Sequence, residues 1–194
     1  TQNRSESNDV KITDGDVVIE SGDDGGAGYA PGESKAGFVE LRDGTKVPRS
    51  YGSMTYALLK AYLFAGLERA DPRVEAAWDW LRANYTLDIN PGFEASNDPR
   101  AAYQGLFYYF YTMARALDLY GSETIVDPAG NEHPWRSELG GRLVAMQRPD
   151  GSWRSATRRS PSHPSHLTGT RTSQPPSPPT HRPTHPEPAP ADPA

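Results

Sequence analysis

Cysteine is absent from the 194 residues. Without a thiol the chain can form no disulfide, no thiolate nucleophile and no cysteine-ligated zinc site. Histidine is almost as scarce where it would matter: four of the five lie in residues 154–194, which leaves His133 alone in the rest. No apolar run approaches the roughly 20 residues that a membrane-spanning helix needs, the longest uncharged, largely apolar stretch being 101–114. An excess of basic charge is missing too. The net charge of −5 argues against a nucleic-acid partner, which would require a basic face. A soluble or membrane-peripheral protein is expected. The first residue is Thr1 rather than Met, so export through a preceding signal segment is left open.

What is present is unevenly spread. Residues 154–194 hold 11 of the 19 Pro and no aromatic residue, and their five Arg against Glu187 and Asp192 give +3, leaving −8 for the rest. A segment of Pro, Ser, Thr, His and Arg cannot bury enough apolar surface to offset chain entropy, so a disordered tail is predicted there. Its irregular spacing argues against both a metal-binding tract and a PxxP ligand. Residues 1–49 are a polar segment rich in Gly and Asp. Short strands are possible at Val17–Ile19 and Phe38–Leu41, with Asp43-Gly44 as a hairpin turn. The acids Asp14, Asp16, Asp23 and Asp24 do not complete a calcium-loop pattern, and a solvated acidic segment is expected.

Residues 50–153 read as helices. Ser50–Gly66 has Lys60 as its only charge between the ends, and a helix apolar all round is predicted to be buried all round. Asp71-Pro72 supplies a cap and a first-turn proline. Val74, Ala77, Trp78, Leu81 and Tyr85 then recur at helical spacing, with Glu75, Asp79 and Arg82 opposite. Asp98-Pro99 repeats the cap, and Ala101–Tyr120 repeats the apolar helix, punctuated by Gly121 as Gly66 ends the first. A loop to about Pro134, seven residues longer than its counterpart, leads to an amphipathic helix with Leu139, Leu143, Val144 and Met146 apolar. Two units of apolar plus amphipathic helix, at a period of roughly 55–60 residues, indicate a repeat.

The second unit ends Leu143-Val-Ala-Met-Gln147-Arg-Pro149-Asp150-Gly151-Ser-Trp153. This run resembles the glutamine–tryptophan (QW) repeat of the squalene–hopene cyclase and protein prenyltransferase superfamily. Arg49–Thr55, Trp80–Tyr85 and the aromatic run Gly105–Tyr111 resemble bacterial proteins described as squalene cyclase-like or prenyltransferase-repeat. The resemblance covers about residues 25–153, with Asp24–Tyr29 similar to the end of an earlier such turn. It implies an all-α fold: a partial α/α toroid of about two helix pairs, with an irregular N-terminal segment and a disordered C-terminal tail. It further implies that Leu143, Gln147, Gly151 and Trp153 form the structural motif, Gln147 capping a helix end while Trp153 stacks on it. Arg142 stands where an aromatic residue is expected. In the first unit Trp80-Leu81 fits the pattern, but Tyr85 replaces the Gln and Gly92-Phe93 replaces Gly-x-Trp.

The catalytic sets of that superfamily are not visible. A cyclase of this type protonates an alkene with the middle acid of an Asp-x-Asp-Asp motif and shelters cations on aromatic faces. The matching positions hold Tyr51, Ser53 and Met54 before the first inner helix, and Leu106, Tyr108 and Tyr109 before the second; Asp14-Gly-Asp16 is only a fragment of the motif. Prenyltransferases need Asp, Cys and His zinc ligands. No metal, no cofactor and no catalytic residue is therefore assigned. Tyr51, Tyr108 and Tyr111 are the candidate ligand-binding residues, with core packing as the alternative for the whole aromatic cluster. His133 could act as an acid–base residue or serve structure alone. The resulting expectation is a truncated or frame-shifted fragment of a terpene cyclase-like protein for an apolar isoprenoid, inactive in itself. The alternative is a non-enzymatic toroid module binding a lipid or partner protein through its aromatic face. Lyase or hydrolase chemistry is disfavoured by the apolar inner helices. An open arc of two units would also leave apolar surface for self-association.

Overall fold

The computed structural model describes residues 1–98 and 100–154. The expected disordered tail lies outside these residues from 155 onward. Within them the all-α expectation is corrected: four helices are accompanied by six strands in two sheets, a mixed α/β architecture.

The segment read as irregular carries the larger sheet. Strands β1 (Lys11–Asp14) and β2 (Val17–Glu20) form an antiparallel hairpin in which Asp14 pairs with Val17. Its two-residue loop is Gly15-Asp16, with Gly15 at φ 57°, the left-handed conformation that tight hairpin loops demand. The supposed fragment of an acidic motif is thus a turn. Strands β3 (Phe38–Glu40) and β4 (Lys46–Pro48) form a second antiparallel hairpin, its loop held by Asp43 Oδ1 accepting from the Thr45 amide at 3.0 Å. β4 lies parallel to β2 through Ile19 and Lys46, giving the order β1-β2-β4-β3. Every residue of β1 and β3 is exposed. A sheet that buries neither face of its outer strands has little apolar alternation to betray it in sequence.

The helices are α1 (Gly52–Phe64), α2 (Pro72–Ala83), α3 (Leu106–Tyr120) and α4 (Trp135–Met146). Asp71 caps α2 as expected, accepting from the Arg73 amide at 2.9 Å with Pro72 in the first turn. Asp98 initiates only a 3-10 turn at Ala101–Tyr103. Gln104 is then extended and Gly105 left-handed, so α3 begins at Leu106 rather than at Ala101. The long loop before α4 contains a two-stranded ribbon, β5 (Ile125–Val126) and β6 (Glu132–His133).

α1 packs against α2 and α3. Tyr56, Leu59, Val74, Leu81, Tyr109, Met113, Leu117 and Ile125 are all but sealed from solvent, and α4 adds Trp135 and Leu139 to the same cluster. Each large side chain so buried contributes about 1.5–3 kcal/mol before entropy is counted. The apolar helices are nevertheless one-sided. Phe64 on α1 is 69% exposed, and on α3 an exposed stripe runs through Tyr108, Tyr111, Arg115 and Leu119. Burial of α1 on all sides is therefore also corrected, since among the described residues nothing covers its outer flank. No helix among them is long and apolar enough to cross a membrane.

A smaller cluster of Ala36, Tyr51, Phe93, Ala101 and Ala102 lies at the head of α1. The chain near Tyr29 is fixed there by its own glycines and by the first residues. Asn3 exchanges backbone hydrogen bonds with Gly25 and Gly26, at 2.8 and 2.7 Å. Gln2 donates to the Arg73 carbonyl at 2.8 Å and accepts from the Tyr62 hydroxyl at 2.9 Å. Gly25, at φ 80°, lies so close to the Ala76 carbonyl that a side chain would collide with it. Residues 24–29 thus pair with the first strand-like residues and lean on α2.

Candidate functional site

Four segments meet at the start of α1: the loop carrying Tyr29 and Lys35, residues 51–54, the loop 90–98, and residues 101–108. Together they line a cavity of about 680 Å³, within the roughly 300–1,000 Å³ that suits a small organic ligand. Its apolar wall is made by Tyr29, Tyr51, Met54, Phe93, Ala101 and Tyr108. The loop after α2 is drawn onto α1 by its backbone. The Gly52 amide donates to the Pro91 carbonyl at 2.9 Å, and the Ser53 amide donates to Asn90 Oδ1 at 3.0 Å, so Asn90 caps α1 from a distant loop. Gly92 sits at φ 105° against the Ser50 carbonyl, where any side chain would clash. That approach delivers Phe93 edge-on to Tyr51, with ring centroids 5.1 Å apart, a favoured aromatic geometry.

Most polar groups of the wall are already engaged. Asn90 Nδ2 donates to Ser53 Oγ at 3.2 Å. Lys35 Nζ stands 4.9 Å from the centre of the Tyr29 ring. Asp98 pairs with Arg100 at 3.1 Å, and this hydrogen bond holds its carboxyl below the ordinary carboxylate range. Asp98 is therefore an anion at neutral pH and a poor proton donor. The Tyr51 hydroxyl differs from all of these: Tyr51 is 2% exposed and its hydroxyl has no partner. Burial, with smaller contributions from Tyr108 and Tyr29, pushes it up to about 12, so it remains a neutral donor at physiological pH. An unpaired buried hydroxyl costs about 1–3 kcal/mol.

Of the three tyrosines expected to bind ligand, the fold brings Tyr51 and Tyr108 into one wall. Tyr111, three residues further along α3, is 58% exposed and lies outside the cavity. The QW residues act locally. Gln147 ends α4 and its Nε2 donates to the Gly151 carbonyl at 3.0 Å, while Trp153 Nε1 donates to the Leu143 carbonyl at 2.8 Å. Trp153 thus satisfies a carbonyl at the end of α4, whereas the Gln147 side chain closes the turn after the helix rather than capping a helix end. Arg142, the departure from the pattern, donates to the Leu87 carbonyl at 3.1 Å and pairs with Asp88 at 3.2 Å, tying α4 to the loop after α2.

His133 lies between Asp127 at 3.6 Å and Glu138 at 3.4 Å, its ring tilted against that of Tyr85 at 4.6 Å. The Tyr85 hydroxyl donates to Glu138 at 2.7 Å, joining the end of α2 to α4. Two acids of the N-terminal segment fix its loops: Asp23 accepts from the Ser5 amide and Asp24 from the Ser50 hydroxyl, both at 2.7 Å. No group of metal-ligating side chains occurs among the described residues. Asn90, Phe93, Lys35 and Asp98 were not expected at the site. Gly92-Phe93, read as a substitute for Gly-x-Trp, was the one sequence signal near them. Comparison with family models, curated proteins and solved structures gives no match to this chain.

Proposed function

We propose that the chain is a non-enzymatic binding module that takes an apolar ligand, an isoprenoid or other lipid, into the cavity between Tyr51 and Tyr108. The aromatic wall around about 680 Å³ of space is the observation that carries this reading. Alkene protonation is disfavoured by the same wall, because its carboxylate, Asp98, is held ionised by Arg100. Kinship with the squalene cyclase and prenyltransferase-repeat proteins, resting on Leu143 to Trp153, belongs to the same proposal and supplies the ligand class.

Titration calorimetry with farnesol, an isoprenoid alcohol, tests it. Tyr108→Ala should weaken binding about two- to tenfold, the value of one aromatic contact. Tyr111→Ala, on the same exposed stripe but outside the cavity, should leave it unchanged. Absence of binding to the wild type, or equal losses in both variants, would refute the proposal. A second reading, self-association, is favoured by Phe64, Tyr111 and Val144 standing exposed. It predicts a sedimentation coefficient that rises with protein concentration and falls back in Phe64→Ser; a concentration-independent monomer would exclude it.

A further inference from the structure

From the unpartnered hydroxyl of Tyr51 in the cavity wall, we infer that the ligand carries a hydrogen-bond acceptor at its buried end, and that Tyr51 is the residue that reads it. This rests on the binding reading above and narrows the ligand from any apolar molecule to one with a terminal oxygen, such as an isoprenoid alcohol. Of the other polar side chains of the cavity, Asn90 is bonded to Ser53, Asp98 to Arg100, and Lys35 lies over the face of Tyr29, while Gln104 and the hydroxyls of Tyr29 and Tyr108 belong to exposed residues that water can satisfy. Among the described residues only two buried side-chain polar atoms lack a partner, the hydroxyls of Tyr51 and Tyr56. Tyr56 lies in the sealed helical core, whereas Tyr51 lines the cavity.

The oxygen of Tyr51 is itself covered, so a ligand reaches it by turning aside a wall side chain. Tyr29 and Tyr108, 56% and 50% exposed, have room to turn, and exposed side chains change rotamer in picoseconds to nanoseconds. A polar group left unpaired inside an apolar wall discriminates between ligands, because only a ligand with a complementary atom satisfies it. Farnesol and farnesene share a carbon skeleton and differ in the hydroxyl, so they isolate this term.

The test is a competition measurement of both ligands on the wild type, Tyr51→Phe and Tyr56→Phe, each with a thermal melt. The wild type should favour farnesol over farnesene by about two- to tenfold beyond their difference in water-to-alkane partition, the net value of one hydrogen bond. Tyr51→Phe should lose that preference while binding farnesene as before and melting at or above the wild-type temperature. Tyr56→Phe should keep the preference. A wild type that binds both ligands, with a preference surviving in Tyr51→Phe, overturns the anchor and leaves the binding module standing. A wild type that binds neither overturns both. A lowered melting temperature in Tyr51→Phe would show the hydroxyl to be a structural contact and would overturn the anchor.

Discussion

Tyr51 and Tyr56 stand five residues apart at the head of α1, both buried and both with a hydroxyl that lacks a hydrogen bond of ordinary geometry, although the Tyr109 hydroxyl lies beside that of Tyr56. Their surroundings differ. Tyr56 is enclosed with Leu59, Met113 and the ring of Tyr109, 5.8 Å away, in the core that α1, α2 and α3 share. Tyr51 has Phe93 edge-on to its ring and belongs to the cavity wall, with its hydroxyl oxygen covered. The contrast shows that burial of a polar group does not mark a site by itself. Tyr51 lies beside space, whereas Tyr56 is enclosed in the core.

The sharpest way to break this comparison is to hollow out each region. Leu59→Ala in the sealed core should cost about 2–5 kcal/mol in chemical denaturation, since lost contacts and a new void add together. Phe93→Ala should cost less, because the space it leaves merges with an existing cavity, and it should weaken farnesol binding where Leu59→Ala does not. Equal costs would mean that the two regions are packed alike.

Tyr51 has its pKa raised by burial to about 12 in the fold, above the roughly 10 of a free tyrosine. Its contribution to stability is complete below pH ~10 and is lost as pH rises toward 12. Tyr56 is raised as well, also by burial first, so Tyr51→Phe should remove only part of the alkaline loss seen in a denaturation series. At the cap of α2, Asp71 is lowered to about 2, chiefly by its hydrogen bonds to Arg73. Its contribution is present above pH ~4 and is lost as pH falls toward 2. Asp98, Asp118 and Asp127 are lowered too, so Asp71→Asn should remove only part of the acid limb and leave the alkaline one unchanged. Loss of the alkaline limb in Asp71→Asn would sink the assignment.

The finest distinction lies in the two hydroxyls. Tyr56→Phe and Tyr51→Phe should each raise stability by up to about 1–3 kcal/mol, since each removes a buried unpaired group. A destabilised Tyr56→Phe would show that its hydroxyl is satisfied in solution.

Much of the helical part was legible in the residues because helices announce themselves locally. Asp71-Pro72 and the spacing of Val74, Ala77 and Leu81 place α2, and Gly121 ends α3 where the pattern stops. β2, β3 and the turn at Asp43-Gly44 were legible for the same reason. β1 was not, because Lys11–Asp14 is fully exposed and its turn, Gly15-Asp16, looks like part of an acidic motif. β5 and β6, two residues each, fall below any periodicity. Strands of two to four residues weigh little beside the QW resemblance, so the residues alone point to an all-α chain that the two sheets contradict. At the site, Tyr51 and Tyr108 could be chosen as aromatic residues at helix starts. Tyr111 could not be separated from them, because which side of α3 faces the cavity depends on where Gly105 starts the helix. Asn90 and Phe93 come from a loop whose approach to α1 is set by Gly92 and Pro91, a tertiary fact without local signature.

The account stands most directly on where an apolar ligand binds. Backbone amide chemical shifts of the isotopically labelled wild type, followed through a farnesol titration, would locate it. The account predicts saturable shifts at Tyr51, Ser53, Phe93, Ala101 and Tyr108, with α4 and the turn at Gly151 unmoved. Shifts confined to Phe64, Tyr111 and Val144, or no saturable shift at all, would contradict it.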